Sequence, residues 1–186
     1  NLFEGDSIKS YRNKIDGTDK YSFMKFYPRN IHFGSAAAFH FDMNLNSDDF
    51  KNEIYFSEKE IIKYKKKFNL PNQYAIIHSE TKTTFTQNKN WGPEKIQNIV
   101  NKLDKINWIQ VGRPGEIRLK NTFQCYFDIS LRELAFIISN SDFLVCMEGM
   151  YNHMASAFNI KNFLIHTGFL TMESVQYPNN ILIENN

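Results

Sequence analysis

From residue 74 to the end of the chain, short apolar runs alternate with segments whose apolar residues recur every three or four positions. Such runs predict strands, and recurrence at helical spacing predicts helices. The predicted strands cover 74–78, 108–111, 123–127, 143–147, 162–166 and 181–183. The predicted helices begin at Pro93, after Ser130 and near Tyr151. Continuously apolar strands joined by helix-length crossovers are typical of a parallel sheet with helices on both faces. The pattern therefore predicts an α/β, Rossmann-like domain.

The first 55 residues carry scattered aromatic, Asn, Asp and Lys side chains without either period. The first clear helix comes after them, because Ser57 and Glu60 have the spacing of a capping box and Pro71 follows the helical pattern. We interpret the lysines of this helix as a solvated face. We therefore divide the chain into an N-terminal segment, 1–55, left from or linking to another domain, and a Rossmann-like domain, 56–186.

Charge and cysteine content exclude several classes of protein. The chain has 22 basic and 20 acidic side chains and a net charge of +2, so we expect no nucleic-acid partner. Cys125 and Cys146 lack metal-ligand spacing, and we find no acidic metal cluster, so we expect a reduced, cytoplasmic chain without a metal. No apolar run has the length of a bilayer span, and the N-terminal residues show no signal-peptide pattern. The first residue is Asn rather than Met, which is consistent with a fragment.

Candidate chemistry lies where predicted strands end and helices begin, since ligands of open α/β sheets bind there. The first such loop, 78–92, is long, polar and rich in hydroxyls and lysines, with Ser79 and Glu80 directly after the strand. Lys89 in this loop is a point charge suited to a phosphate. The alternative is a solvated lysine whose neighbour Trp91 fills the core, and the loop by itself favours that alternative.

A second loop follows the strand that ends at Val111. Gly112 and Gly115 allow a tight turn or a close approach of backbone to ligand, and Glu116 can accept hydrogen bonds from ribose hydroxyls. An ordinary turn explains these residues at least as well. Neither the GxGxxG dinucleotide fingerprint nor the GxxxxGK[ST] phosphate loop occurs in the chain, so both are excluded as written.

A third loop places Glu148, Gly149 and, one turn later, His153 at a strand-to-helix junction. Gly149 has no Cβ, so amides at the helix start can approach an anion, and Glu148 can bind sugar hydroxyls. His153 can donate to a phosphate or sugar oxygen. A satisfied, half-buried histidine on a packed helix is about equally compatible with the sequence.

Four segments in this order resemble the C-terminal half of the heptosyltransferase-like enzymes of glycosyltransferase family 9. They are IIHSE (76–80), NKNWG (88–92), ISLRELA (129–135) and EGMYNHMA (148–155). The resemblance covers roughly residues 50–186, and IHTGF (165–169) is similar to a branch with Glu-Gly-Gly in the signature. It implies one Rossmann-like half of a GT-B fold, a nucleotide-diphosphate sugar as donor substrate, no cofactor and metal-independent chemistry.

The resemblance also implies roles for individual residues. Lys89 would meet the diphosphate, Glu116 the ribose, and Ile129 the base. Glu148 and the amides around Gly149–Tyr151 would hold the sugar and phosphates, with His153 supporting them. The complete set of expected nucleotide-sugar contacts is Ser79, Glu80, Lys89, Gly112, Glu116, Ile129, Glu148, Gly149, Met150, Tyr151 and His153.

The chain departs from the family pattern at the signature. The usual Asp-Thr/Ser-Gly is Glu148-Gly149-Met150, so Met150 stands where the related branch has its second glycine. A side chain of this size leads us to expect a narrower approach to the sugar. The family's catalytic base belongs to the N-terminal domain, and residues 1–50 are too few to form one. No base is therefore assigned among Asp6, Asp16, Asp19 and Asp42.

Two functions follow as hypotheses. In the first, the chain is the donor-binding half of a glycosyltransferase that uses a glycan or lipid-linked, lipopolysaccharide-type acceptor, works in the cytoplasm or peripherally at the inner membrane, and needs a further N-terminal domain. In the second, the chain is an inactive Rossmann-like binding or assembly module with a partner surface in the aromatic-rich segment 21–41.

Overall fold

A computed structural model describes residues 52–82 and 88–184 of the chain. Asp6, Asp16, Asp19, Asp42 and the segment 21–41 lie outside these residues. The helices are α1 (Glu58–Lys67), α2 (Pro93–Lys102), α3 (Leu131–Ser139), α4 (Met150–Ala157) and α5 (Met172–Val175). The strands are β1 (Ala75–His78), β2 (Trp108–Val111), β3 (Gln124–Tyr126), β4 (Phe143–Met147), β5 (Lys161–His166) and β6 (Asn180–Glu184).

The chain divides into two compact units, residues 1–50 with 171–176, and residues 51–170 with 177–186. The described part of the first unit is the single-turn helix α5, which the hydrophobic pattern did not predict. In that turn the Gln176 N–H donates to the carbonyl of Met172 at 2.8 Å. The predicted division of the chain at residue 55 stays a prediction. All other described elements belong to the second unit.

The second unit contains a six-stranded sheet in the order β3-β2-β1-β4-β5-β6. Every neighbouring pair of strands is parallel. Strands β1 and β2 are buried along their whole length, as their continuous apolar runs predicted. The predicted α/β, Rossmann-like parallel sheet is confirmed.

Local sequence signals explain where the helices begin. Ser57 caps α1 and Ser130 caps α3, and in both cases the glutamate three residues later completes a capping box. Pro93 is the first residue of α2. The two capping-box glutamates also pair with cations of the other helix: Arg132 Nε lies 2.5 Å from Glu60, and Lys67 Nζ lies 2.7 Å from Glu133.

The core lies on both faces of the sheet. On one face, Ile96 and Val100 of α2 pack in a cluster with inward residues of the central strands. These strand residues are Ala75, Ile77, Trp108, Val145, Met147 and Ile165. Because side chains alternate along a strand, Ile76 points to the opposite face. Near that face Tyr64 of α1 contacts Phe136 of α3, with ring centroids 5.3 Å apart. The sheet is thus covered by helices on each side, as the sequence predicted.

Candidate ligand site at the carboxyl ends of the strands

Strands β2 and β3 lie on one side of β1, and strands β4 to β6 lie on the other, so the strand order reverses between β1 and β4. Chain segments leaving these strands go to opposite faces of the sheet, which opens a crevice at their carboxyl ends. Ser79 and Glu148 are the first residues after the two strands, and both are buried. We call the part of the crevice next to the ends of β1 and β2 the β1–β2 side, and the part next to the ends of β4 and β5 the β4–β5 side.

The β4–β5 side begins with a tight turn into α4. Gly149 has φ 149° and ψ −156°, a backbone conformation that residues other than glycine rarely adopt. A Cβ there would meet no atom within 4 Å, so the backbone conformation rather than crowding requires glycine. The N-cap residue of α4 is Gly149, and within the described residues this helix start has no side-chain cap. The positive end of the helix dipole therefore lies directly after β4. The Met150 side chain at this turn is 40% exposed.

Glu148 is held by the end of β5. Its side chain accepts hydrogen bonds from the Thr167 N–H at 2.8 Å and the Thr167 hydroxyl at 2.7 Å. The carboxylate is buried and therefore fixed in orientation. Each of its oxygens retains the capacity to accept a second hydrogen bond.

Lys89 lies over the ring of Phe169, with its Nζ atom 4.6 Å from the ring centroid. Burial lowers the pKa of Lys89, while the negative charge of Glu148 opposes this shift. The neighbouring Trp91 packs against the core and donates its backbone N–H to the Met147 sulfur at 3.3 Å. The expected packing of Trp91 in the core is thus confirmed. Lys89 lies near Glu148, and its contact with a phosphate stays a prediction.

His153 is bonded to the C-terminal part of the unit. Its Nδ1 atom lies 2.6 Å from the Tyr177 hydroxyl. The Asn52 side chain donates both to that hydroxyl, at 2.8 Å, and to the His153 carbonyl, at 3.2 Å. The structure thus gives His153 a packing role, and its expected support of a sugar or phosphate stays a prediction.

On the β1–β2 side, two residues expected to contact the ligand make hydrogen bonds within the protein, and their contact with a ligand stays a prediction. Ser79 is fully buried, and its hydroxyl accepts from the side-chain amide of Gln110 at 3.0 Å. Glu80 accepts from the backbone N–H of Ile117 at 2.7 Å. Glu80 therefore bonds directly to the loop that follows β2, and Ser79 bonds to a side chain of β2 itself.

Gly112 and Glu116 lie in that loop and depend on each other. A Cβ at Gly112 would collide with Oε2 of Glu116, so glycine is needed here for close packing. The Glu116 side chain is 5% exposed and accepts from Arg113 Nε at 2.7 Å. Burial raises the pKa of Glu116, and the hydrogen bond and charge of Arg113 oppose the rise. Within the described residues Oε2 of Glu116 has no hydrogen-bond partner.

His78, the last residue of β1, was not among the expected ligand contacts. Its ring lies against the ring of Tyr151, with centroids 3.9 Å apart. Burial, reinforced by the charge of Arg113, lowers the pKa of His78 to about 3, so the imidazole is neutral. Its Nε2 atom is 3.9 Å from Glu116 Oε2, too far for a hydrogen bond. The available sequence signal was a histidine closing an otherwise apolar strand.

Two further polar atoms in this part of the chain have no partner among the described residues: His78 Nδ1 and Thr81 Oγ1, both buried. Buried polar atoms are normally hydrogen-bonded, so such atoms often mark a place where water or a ligand binds.

Ile129, the expected contact for a base, lies half-buried directly before Ser130, the N-cap of α3.

Within residues 52–82 and 88–184, no group of three or more His, Cys, Asp or Glu side chains is placed to hold a metal ion. Among the described helices, none combines the length and apolar character needed to cross a bilayer.

Comparison with solved structures shows the same fold in glycosyltransferases. A family 9 glycosyl transferase from Veillonella parvula superposes with a TM-score of 0.66 at 10% identity, over 83% of this chain and 49% of that chain. The E. coli heptosyltransferase WaaC with ADP-2-deoxy-2-fluoro heptose gives 0.52 at 15% identity, over 80% and 47%. The dodecameric iron-containing heptosyltransferase TibC with ADP-D-beta-D-heptose gives 0.54 at 16% identity, over 82% and 39%.

These matches show that the chain has a heptosyltransferase-like fold, that of one half of a family 9 glycosyltransferase. The chain spans about half or less of the length of each of these structures. No protein-family model and no curated protein matches the sequence.

Proposed function

We propose that this chain is the nucleotide-sugar-binding part of a heptosyltransferase-like glycosyltransferase. One observation carries the proposal: Lys89, Glu148 and the uncapped start of α4 lie together where the sheet changes direction. A cation, a helix N-terminus and a fixed carboxylate are the groups that a sugar diphosphate needs.

The chemistry of sugar transfer accounts for these groups. When the sugar leaves, the nucleoside diphosphate gains negative charge that the site must stabilise. Lys89 supplies a positive charge and the amides of α4 supply donors, so the chain's own residues perform this role without a metal or cofactor. Glu148 accepts from sugar hydroxyls through the acceptor capacity that Thr167 leaves available.

The nucleoside part of the donor lies along the β1–β2 side. Glu116 accepts from the ribose and Ile129 contacts the base in this proposal. Glu116 is well placed to bind a hydroxyl, because Oε2 has no partner among the described residues. Ser79, Glu80 and Gly112 shape the loop rather than touch the ligand.

The remainder of the reaction belongs to groups outside the described residues. An N-terminal domain supplies the catalytic base and binds a glycan or lipid-linked acceptor. The enzyme works in the cytoplasm or peripherally at the inner membrane. These parts of the proposal follow from the resemblance of the sequence to family 9. The WaaC and TibC structures, whose fold this chain shares, contain ADP-linked sugars and support only the choice of donor.

A second candidate is a binding module without transferase activity. One contact favours it, because Lys89 already lies on the Phe169 ring. If ligand does not displace this contact, Lys89 serves the fold alone.

Thermal unfolding with ADP, GDP and UDP separates the two candidates. At about 100 times Kd, a bound nucleotide adds about 2.7 kcal/mol to the free energy of unfolding, or roughly 5–10 °C for a chain of this size. Lys89→Ala removes most of this shift. Lys95→Ala is the matched control, since Lys95 also lies over an aromatic ring, Trp91, at 5.2 Å. Absence of a shift with all three nucleotides supports the binding module.

A further inference from the structure

The loop between β2 and β3, residues 112–123, contains neither helix nor strand. A loop without regular structure must find partners for its buried backbone groups elsewhere. In this loop the partners include side chains from β2, from α2 and from the segment that follows β1. Gln110, Gln97 and Glu80 bond to the backbone of Ile117, Leu119 and Lys120.

Gln110 is the central one of these side chains. It is fully buried, and its amide group donates to the Ile117 carbonyl at 2.8 Å and to the Ser79 hydroxyl at 3.0 Å. Its carbonyl oxygen accepts from the Leu119 N–H at 2.8 Å and from the Cys125 thiol at 3.4 Å. All hydrogen-bonding capacity of the side chain is thus used to join β1, the loop and β3.

Gln97 holds the same loop at a different place. From α2 it accepts from the Lys120 N–H at 2.7 Å and donates to the Lys120 carbonyl at 3.0 Å. These bonds are exposed to solvent, and Lys120 is four residues away from Glu116. Gln110 instead acts on Ile117, the residue directly after Glu116.

We propose that Gln110 is a positioning residue for ligand binding: by fixing Ile117 and Leu119 it holds Glu116 against Gly112 at the edge of the crevice. The loop then has its binding conformation before ligand is present, rather than becoming ordered when ligand binds. A glutamine is required, because the site needs donors for Ile117 and Ser79 and an acceptor for Leu119 at once. This inference rests on the proposed function, in which Glu116 contacts the ribose.

Gln110→Met tests the inference, because methionine keeps the volume of the side chain and removes all of its hydrogen bonds. We expect ADP affinity to fall by about tenfold, since the loop no longer holds Glu116 in one position. Gln97→Ala is the matched control, and we expect its ADP affinity to stay within about twofold of the wild type because exposed hydrogen bonds contribute little. Equal losses in the two variants would show general loosening of the loop and overturn the inference.

The conservative variant Gln110→Glu provides a second measurement. A glutamate retains the acceptor for Leu119 but donates to Ile117 or Ser79 only when protonated. Its ADP affinity, taken as a ratio to the wild type, should therefore improve as pH falls from 8 to about 5. The ratio for Gln110→Met should not change over the same range. Identical pH profiles for the two variants would contradict a role of the donated hydrogen bonds.

A titration of Glu116 by NMR decides the inference separately from the proposed function. In the wild type its pKa lies above the ordinary value because the side chain is buried. Gln110→Met should return this pKa toward the ordinary value, and Gln97→Ala should not. If the wild type binds no nucleotide, the proposed function fails, and the Glu116 titration alone supports or overturns the positioning role of Gln110.

Discussion

The two sides of the crevice are built with different kinds of contact. On the β1–β2 side, the buried Gln110 side chain bonds to the backbone of the loop that follows β2. On the β4–β5 side, Lys89 lies on an aromatic ring and α4 begins without a side-chain cap. Hydrogen bonds to buried backbone are costly to lose, whereas a cation–π contact is weaker and a helix start preceded by glycine favours an anion. One side therefore sets the shape of the crevice, and the other is suited to exchange its contacts for ligand.

The largest expected effect is on the β1–β2 side and concerns His78. Its pKa in the folded state, about 3, lies below the ordinary value of 6.5, so below pH 6.5 the unfolded state binds the extra proton. The wild type therefore loses stability as pH falls from 6.5 toward 3. His78→Phe keeps the ring contact with Tyr151 and removes the proton, so relative to this variant the wild type should lose about 2 kcal/mol between pH 7.5 and 5.

Urea denaturation of both proteins at the two pH values measures the difference in their unfolding free energies. Because both proteins contain the same carboxylates, the pH dependence from those groups cancels in this difference. Parallel stability curves would mean that the folded state protonates His78 as easily as the unfolded state. The β1–β2 side would then be hydrated, and the contrast between the two sides would be weaker.

A smaller effect is expected from Gly112→Ala on the same side. The new methyl group would collide with Glu116 and crowd Phe127, which should cost about 1–2 kcal/mol of unfolding free energy. Urea denaturation in the Glu116→Ala background is the control, because the collision is then absent and the cost should fall. The same cost in both backgrounds would show that Glu116 is not the constraint.

The smallest effect concerns the β4–β5 side. Phe169→Ala removes the ring beneath Lys89, a contact worth about 0.5–1 kcal/mol, so ADP affinity should rise by roughly two- to fivefold. Calorimetric titration measures it, and Phe123→Ala, which alters an exposed phenylalanine, should leave the affinity unchanged. A loss of affinity in Phe169→Ala would show that the ring contacts the bound nucleotide, so that this side too is preformed.

Local signals in the sequence predicted most of the fold. Apolar runs located all six strands, and the spacing of Ser57 and Glu60 predicted a cap that the structure contains. These features depend on residues within four positions of each other. The short helix α5 was missed because four residues are too few to show a period.

The site was less accessible to prediction because its contacts join distant parts of the chain. Ser79 and Gln110 are 31 residues apart, and Glu80 and Ile117 are 37 apart. From the sequence, a serine and a glutamate after a strand look the same whether they bind a ligand or a loop. Gln110 did carry a signal, since a glutamine within the apolar run 108–111 needs buried partners.

The ion pairs that join the capping-box glutamates of α1 and α3 to the opposite helix have a consequence for how the domain unfolds. Each capping-box glutamate serves its own helix and also pairs with a cation of the other helix, so fraying at the start of either helix releases a contact with the other helix. Arg132, followed by the Ser57 backbone and side chain, lowers the pKa of Glu60 to about 2, so this contribution is present near neutral pH and is lost as acid approaches that value. The two helices should consequently open as one cooperative unit, visible as amide exchange that accelerates in both at the same acidity.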